Sequence, residues 1–234
     1  MSKFIVDESF WKLFPQAKIG VILLKDFQSQ EQSPDSIIEL LKESQKTAKT
    51  YLIEDKFSDN AEIQVYRQAY QKFKTKKGAR SSIEALLKRV SKDKPIGSIN
   101  PLVDIYNAAS LRYALPVGAE DRDTFEGDLR LELTEGGDAF YLIGDSENTP
   151  TLAGELCYRD DKGAVCRCLN WRDGERTMIT SDTKNAFIVI ELLDSDRMED
   201  LQAALDFIEK NAQKYLKGKS SQKILDITHQ SMTI

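Results

Sequence analysis

Residues 151–171 read TLAGELCYRDDKGAVCRCLNW, and this stretch decides the fold class of the second half of the chain. Two runs of strand-forming residues flank the turn sequence Asp160-Asp161-Lys162-Gly163, which is typical of a β-hairpin. The hairpin indicates an antiparallel region rather than a continuation of the helical pattern found in the first half.

The segments on either side extend this pattern. Residues 128–144, DLRLELTEGGDAFYLIG, predict a second hairpin around a Glu-Gly-Gly-Asp turn, and AFIVIELLD, starting at Ala186, predicts a buried strand. The first 26 residues predict a strand, a short helix and a strand. Helices are predicted from Pro34 toward Leu52, after Asn60 up to Gly78, from Ser81, over residues 101–113 and over residues 198–215.

These elements together predict an α+β fold in which an antiparallel or mixed sheet packs against helices. The sequence contains no internal repeat and no low-complexity linker, so we expect one domain over residues 1–234. Within it, residues 1–78 form an N-terminal strand and helix subregion, and residues 79–234 form a core that carries the pocket.

Composition narrows the possible chemistry. The chain has 234 residues, of which 41% are hydrophobic and 30% charged, as in ordinary globular proteins. It has no apolar run of the ~20 residues needed to span a bilayer and no signal-peptide pattern, so we expect a cytoplasmic protein. Three cysteines and one histidine, His229, give few metal ligands and no Ser-His-Asp triad. We therefore expect no metal and no cofactor.

The charge is unevenly distributed along the chain. The net charge is −5, which argues against general nucleic-acid binding, but the segment from Lys72 to Lys94 holds nine basic residues and two acidic ones. Such a segment can attract phosphates. It can equally be a solvated helix face.

Two polar segments suggest a pocket. Asn107 lies on the apolar side of the predicted helix 101–113, where its amide must either cap a neighbouring backbone group or contact a ligand. Residues 170–183, NWRDGERTMITSDT, combine a tryptophan with charged and hydroxyl side chains, and they form either a decorated turn or a pocket wall. Residues 116–123, PVGAEDRD, are typical of a connector between a helix and a strand.

The string LVDIYNAASLRYALPVGAED, residues 102–121, resembles the fused third and fourth (B3/B4-type) domains of the bacterial phenylalanyl-tRNA synthetase beta subunit. The later order of Gly174, Glu175 and Thr183 before a buried strand that ends in Glu191 is similar as well. The resemblance covers about half the chain, residues 80–193. It is strongest to free-standing members of the family, which lack the catalytic parts of the synthetase.

The resemblance implies a function. In the synthetase this domain receives the 3′ end of tRNA and hydrolyses the ester of a wrongly attached amino acid, usually tyrosine. The asparagine of that site corresponds to Asn107, and the glutamate that recognises the substrate hydroxyl corresponds to Glu175. The histidine of the family site is replaced here by Gly118, which removes one polar wall.

The sequence therefore predicts a trans-acting hydrolase of misacylated aminoacyl-tRNA, with Glu175 pointing into a pocket shared with Asn107. Its partner is the aminoacylated 3′ end of tRNA, or a small amino-acid-like ligand. The alternatives are a non-catalytic module that binds RNA or an amino-acid-like ligand, and a protein-interaction protein. The candidate catalytic residues are Asn107, Glu175 and Thr177; the candidate substrate-binding residues are Arg80, Pro116, Gly118, Asp121, Glu155, Asn170, Arg172 and Gly174.

Overall fold

A computed structural model of the protein describes residues 2–193 and 195–234. The described residues form two β-sheets and a group of α-helices. The strands are β1 (Lys3–Val6), β2 (Lys18–Lys25), β3 (Val117–Asp121), β4 (Leu129–Leu133), β5 (Leu156–Asp160), β6 (Gly163–Arg167), β7 (Arg172–Asp173), β8 (Ala186–Leu192), β9 (Lys219–Leu225) and β10 (Ser231–Thr233). The helices are α1 (Glu8–Leu13), α2 (Asp35–Ala48), α3 (Ala61–Ala69), α4 (Ser82–Val90), α5 (Pro101–Tyr113) and α6 (Met198–Leu216).

The two sheets differ in size and pack face to face. The larger sheet has the strand order β10-β1-β4-β5-β6-β7, and the smaller has the order β3-β8-β2-β9. Strands β1 and β4 are parallel, whereas the other paired strands are antiparallel. The fold is therefore α+β with one mixed and one antiparallel sheet, as the sequence predicts.

The central strands β2 and β8 of the smaller sheet are buried on both faces, which explains why residues 19–24 and 186–190 form apolar runs instead of alternating. Val21 and Val189 face the larger sheet, whereas Ile22 and Ile190 face helices α5 and α6. A third apolar cluster, which includes Leu41, packs helices α2, α3, α4 and α5 against one another. None of the described helices combines the length and the apolar composition needed to cross a bilayer.

Both ends of the chain take part in the sheets. Strand β1 pairs with β4 and β10, and β2 lies between β8 and β9 in the centre of the smaller sheet. The C-terminal segment around His229 is also tied to the sheets. His229 lies in a turn closed by hydrogen bonds to Asp226, and the turn joins β9 to β10.

The predicted hairpin over residues 128–144 is also wrong, because only Leu129–Leu133 forms a strand in that segment. Thr134 and Thr151 both donate hydrogen bonds to the Asp138 carboxylate. Gly137 and Thr151 are joined by a backbone hydrogen bond of 3.0 Å. The Gly-Gly turn therefore pairs with residues before β5 instead of returning along β4.

Two further boundaries differ from expectation. Residues 116–123, predicted to be a connector, contain strand β3 at the edge of the smaller sheet, where Pro116 needs no ladder hydrogen bond from its nitrogen. Helix α3 ends at Ala69 and does not continue to Gly78, which lies in a separate turn with a φ of +89°. The hairpin of β5 and β6, strand β8 and helices α5 and α6 form as predicted.

Candidate functional site

The described structure contains a small cavity between the two sheets, near the edge where β3 faces β6 and β7. We call it the inter-sheet cavity. Its volume is about 10 Å³, enough for about one water molecule. The polar side of its wall is formed by Gly118, Glu120, Tyr158, Cys166, Asn170 and Asp173.

Strand β3 brings Glu120 into the cavity because alternate residues of a strand face opposite sides. Val117 packs in the apolar layer against the helices, whereas Gly118 and Glu120 line the cavity. A Cβ atom added at Gly118 would lie 2.5 Å from Nδ2 of Asn170. The Asn170 side chain therefore occupies the space that a side chain at position 118 would need, and a histidine there would displace it.

A tight turn after β6 presents Asn170 to the interior. Cys168 and Leu169 both adopt left-handed conformations, with φ of +50° and +54°, which is costly for residues other than glycine. The Asn170 carbonyl accepts a hydrogen bond of 3.0 Å from the backbone of Ser82 at the start of α4. The turn directs Asn170 inward, and Trp171 lies on the outside, half-buried against the core.

Four buried polar atoms around the cavity lack a hydrogen-bond partner among the described residues. They are Oε2 of Glu120, Nδ2 of Asn170, Oγ1 of Thr177 and Oε2 of Glu191. The Thr177 hydroxyl lies beside Glu120 and lowers its pKa, but it is not aligned for a hydrogen bond. Leaving such a group buried and unpaired costs about 1 to 3 kcal/mol. Their concentration in one place is typical of a site that awaits a polar ligand or water.

Burial disfavours the charged forms of the carboxyl groups in this cluster. It raises the pKa of Glu120 well above its usual value, and the nearby Asp173 carboxylate raises it further. Burial also raises the pKa of Asp173. The pKa of Glu191 rises to about 8 by burial, although the 2.8 Å hydrogen bond from the Tyr158 hydroxyl opposes this shift.

The same cluster contains the described side chains that could hold a metal ion. Oxygen atoms of Glu120 and Asp173 and the sulfur of Cys166 lie within 4.8 Å of one another. The pKa of the Cys166 thiol is raised well above its usual value by burial and by the two carboxylates. The three cysteines are free and buried. Cys166 faces the cavity, whereas Cys168 contacts Glu155.

The inter-sheet cavity is not the pocket expected between Asn107 and Glu175, because neither residue lines it. Asn107 is half-buried on α5 and does not line the inter-sheet cavity. The Glu175 side chain is exposed to solvent, although its backbone N–H donates a 2.9 Å hydrogen bond to Tyr141. The expectation that Glu175 points inward is therefore wrong. Glu175 is the first residue of the 3-10 turn Glu175–Thr177, which follows β7, and its side chain faces the solvent.

Several predicted site residues have structural partners instead. Glu155 is fully buried and makes a two-pronged ion pair with Arg167, with N to O distances of 2.6 and 2.7 Å. Asp121 accepts a 2.8 Å hydrogen bond from Thr183, which ties the end of β3 to the loop before β8. Arg176 pairs with the buried Asp160, not with Glu175.

The remaining predicted residues lie in three places. Thr177 is buried behind Glu120, and Pro116 accepts a backbone hydrogen bond from Glu191 at the start of β3. Gly174 is buried in close backbone contact with Val165. Arg80 is exposed beside a surface depression of about 370 Å³.

Arg172 lies outside the cavity, in a groove of about 200 Å³ on the outer side of the turn after β6. Its guanidinium is 5.0 Å from the centre of the Trp171 ring. Lys76 and Lys77 of the basic segment form the opposite side of this groove. The stretch that begins NWRD therefore separates two sites, because Asn170 and Asp173 face the cavity whereas Trp171 and Arg172 face the groove.

Sequence reasoning missed the carboxyl groups of the cavity. Glu120 lies in residues 116–123, which were interpreted as a connector. Without a strand there, the alternation of side chains that places Glu120 in the cavity could not be predicted. Asp173 lies in the two-residue strand β7, which is too short to give a periodic signal. Tyr158 and Glu191 are indistinguishable in sequence from other residues of buried strands.

Known proteins resemble this chain in sequence. The family model described as the B3/4 domain matches residues 65–232. The phenylalanine–tRNA ligase beta subunit of Psychrobacter arcticus is 36% identical over 95 residues, which cover 40% of this chain and 11% of that protein. The corresponding subunit of Fusobacterium nucleatum is 22% identical over 139 residues, covering 59% of this chain and 17% of that protein.

A solved structure is also similar. It is an N-terminal fragment of the phenylalanyl-tRNA synthetase beta subunit from Pyrococcus horikoshii, with 15% identity and a TM-score of 0.49. The alignment covers 93% of this chain and 49% of that fragment. The sequence matches to the two ligase subunits cover only 11% and 17% of the lengths of those proteins.

Proposed function

Because this chain belongs to the B3/4 domain family, we propose that it binds tRNA and hydrolyses the ester bond of a wrongly aminoacylated tRNA. The relatives compared above are beta subunits of ligases that, by name, join phenylalanine to tRNA. The site of the proposed reaction is the inter-sheet cavity. The observation that carries the proposal is the pair of buried polar atoms without partners on residues that line this cavity, Oε2 of Glu120 and Nδ2 of Asn170.

The side chains of the cavity suit ester hydrolysis by a bound water. An aminoacyl ester is already activated, so a positioned water and stabilisation of the developing oxyanion suffice. The cavity has room for about one water beside Glu120. In the proposed step the water oxygen attacks the ester carbonyl carbon while Glu120 accepts a water proton, and the carbonyl–ribose bond then breaks as Glu120 returns that proton to the leaving ribose oxygen.

The roles of the other groups follow from their chemistry. Asn170 has an unpaired Nδ2 donor that can stabilise the oxyanion. Asp173 is the carboxylate that pairs with the α-ammonium of the aminoacyl group. A general base works best when its pKa is near the working pH, and burial raises the pKa of Glu120 in that direction.

A panel of mischarged tRNAs tests the proposal. Wild-type protein should release the amino acid faster than the spontaneous rate, and Glu120→Gln should lower that rate by about 100-fold or more. The matched control is Glu43→Gln, which makes the same chemical change at an exposed position of α2. Equal rates for wild type and Glu120→Gln would exclude Glu120 as the base. The absence of deacylation with every tRNA would contradict the hydrolase proposal.

A second candidate function is binding without turnover. It is favoured by the cavity volume of about 10 Å³, which leaves no room for an amino-acid side chain unless the walls move. It is also favoured by Gly118, which stands where the family it resembles has a histidine. In the same experiment, saturable binding of aminoacylated tRNA without release of the amino acid would establish this function instead.

A further inference from the structure

The groove on the outer side of the NWRD stretch combines positive charge with aromatic surface. We call it the outer groove and define it by Lys76, Lys77, Phe140, Trp171 and Arg172. Its volume of about 200 Å³ suits one planar group rather than a folded helix. It lies on the other side of the turn from the inter-sheet cavity, so its ligand need not enter the cavity.

The two lysines are held in place by the backbone around them. Lys74 donates a backbone hydrogen bond of 2.8 Å to Gly154, and Ala79 donates one of 3.0 Å to Lys76. The Tyr70 hydroxyl donates a 2.6 Å hydrogen bond to the carbonyl of Cys168, in the same turn that positions Trp171. The basic segment and the tryptophan are thus fixed relative to each other on one rigid support.

The cations of the outer groove are not neutralised. Among the described residues, no carboxylate forms an ion pair with Lys76, Lys77 or Arg172, although Asp145 lies at the edge of the groove. By contrast, Arg167 and Arg176 are paired with buried carboxylates. Three unpaired cations at one place on a chain of net charge −5 indicate an anionic ligand, because local fields attract phosphates even on acidic proteins.

The aromatic side chains of the groove indicate which kind of anionic ligand binds there. Trp171 is half-buried and carries the Arg172 guanidinium against its ring at 5.0 Å. Phe140 is buried next to it, beneath the Arg167 guanidinium. Aromatic rings and guanidinium planes are the surfaces on which proteins stack the unpaired bases of single-stranded nucleic acids. A simple phosphate or an acidic peptide would use the cations but not this surface.

We propose that the outer groove binds a nucleotide of single-stranded RNA, with its base against the Trp171–Arg172 pair and its phosphates against Lys76 and Lys77. That this nucleotide belongs to the single-stranded 3′ end of tRNA rests on the proposed function. The binding of a single-stranded nucleotide in the groove does not. The adjacent positions of the groove and the cavity allow one strand to lie in the groove while its acylated end reaches the cavity edge.

Tryptophan fluorescence provides a direct test. The chain has two tryptophans, and Trp11 is buried with its Nε1 bonded to the Val6 carbonyl, so Trp171 is the one that reports on a surface ligand. Titration of the full chain with a short single-stranded oligoribonucleotide should quench this fluorescence. An abasic oligomer of the same length should bind about tenfold more weakly and cause no quenching.

Variants separate stacking from charge by anisotropy of a labelled oligoribonucleotide. Trp171→Leu should weaken binding about tenfold, and Lys76→Ala with Lys77→Ala should reduce the slope of log K against log salt by about 0.7 per lost phosphate contact. Lys210→Ala, an exposed lysine of α6, is the matched control and should change neither.

Three results would overturn the proposal: equal affinity for the abasic oligomer, equal competition by an acidic peptide, or no binding of either oligomer. Because the oligoribonucleotide carries no aminoacyl ester, its binding is independent of deacylation. Oligoribonucleotide binding without deacylation would support the proposal for the outer groove and contradict the hydrolase proposal. Deacylation without oligoribonucleotide binding does the reverse.

Discussion

At the residue scale, the carboxyl groups of the inter-sheet cavity distinguish this site from the rest of the core. Glu155 and Asp160 are equally buried, but each is paired with an arginine. Glu120 and Glu191 each keep one oxygen without a partner, and burial raises the pKa of both. The raised pKa values have a measurable consequence for stability.

Glu191 should make the protein less stable as the pH rises. Its pKa is about 8 in the folded chain and near 4.5 when unfolded, so its contribution is fully present below about pH 4.5 and is lost as the pH approaches 8. The loss is at most about 5 kcal/mol. Urea unfolding at pH 5, 6.5 and 8 should show this decline, and Glu191→Gln should reduce it. A variant with an unchanged pH profile would contradict the assigned pKa.

Gly118 and Asn170 should be energetically coupled. Gly118→Ala should cost about 1 to 3 kcal/mol, because the new Cβ would collide with the Asn170 amide. Asn170→Ala removes the obstacle, so the double variant should be more stable than the sum of the single changes predicts. Urea unfolding of the four proteins measures this coupling. Additive effects would show that the two residues do not share the space.

The site could be predicted from sequence only in part, for reasons visible at individual residues. Gly118 and Asn170 were identified because the resemblance draws attention to their segments, and both line the cavity. Glu175 was assigned an inward direction that sequence cannot supply, since the side-chain direction in a 3-10 turn depends on the turn that precedes it. Glu120 was missed because its strand was not recognised.

At the element scale, prediction succeeded where a segment has a strong local pattern. Helix α5 spans Pro101–Tyr113 as predicted, and in the structure Asn100 caps its start and Ala114 its end. The hairpin of β5 and β6 follows from its turn residues. Strands β9 and β10 escaped prediction because their outward faces are polar and their pairing partners, β2 and β1, lie about 200 residues away in the chain.

The loop between β4 and β5 shows the opposite case, because a local hairpin signal was overridden by contacts distant in sequence. Its far end is held by Arg167, which donates hydrogen bonds to Glu155 and to the Thr149 carbonyl. The ion pair joins this loop to β6 and lies beneath the outer groove. It therefore supports both the fold and the proposed nucleotide site.

Removing one partner of the Arg167–Glu155 ion pair should strongly destabilise the folded protein. Arg167→Leu should destabilise the protein by about 3 to 5 kcal/mol, because it leaves the Glu155 carboxylate buried without its partner. The double variant with Glu155→Leu should recover part of the loss. The measurement is urea unfolding at pH 7. If Arg167→Leu alone were neutral, the ion pair would not hold the loop.

At the scale of the whole molecule, the two ends of the chain complete the sheets that frame the site. Strand β2 is central to the smaller sheet, and its partner β8 contributes Phe187 and Val189 to the cavity wall. The fold class could be predicted because helical patterns dominate the first half of the chain and strand patterns the second half. The division into two facing sheets could not, because it depends on pairings between distant segments.

The central claim is that the inter-sheet cavity receives the aminoacyl group. The most direct measurement is a crystal structure of the protein with an adenosine whose 3′ position carries an amino acid through a non-hydrolysable amide. The account predicts the α-ammonium beside Asp173, the carbonyl oxygen beside Nδ2 of Asn170, and walls displaced to admit the side chain. An analogue bound between Asn107 and Glu175, or found only on the surface with the cavity still closed, would contradict it.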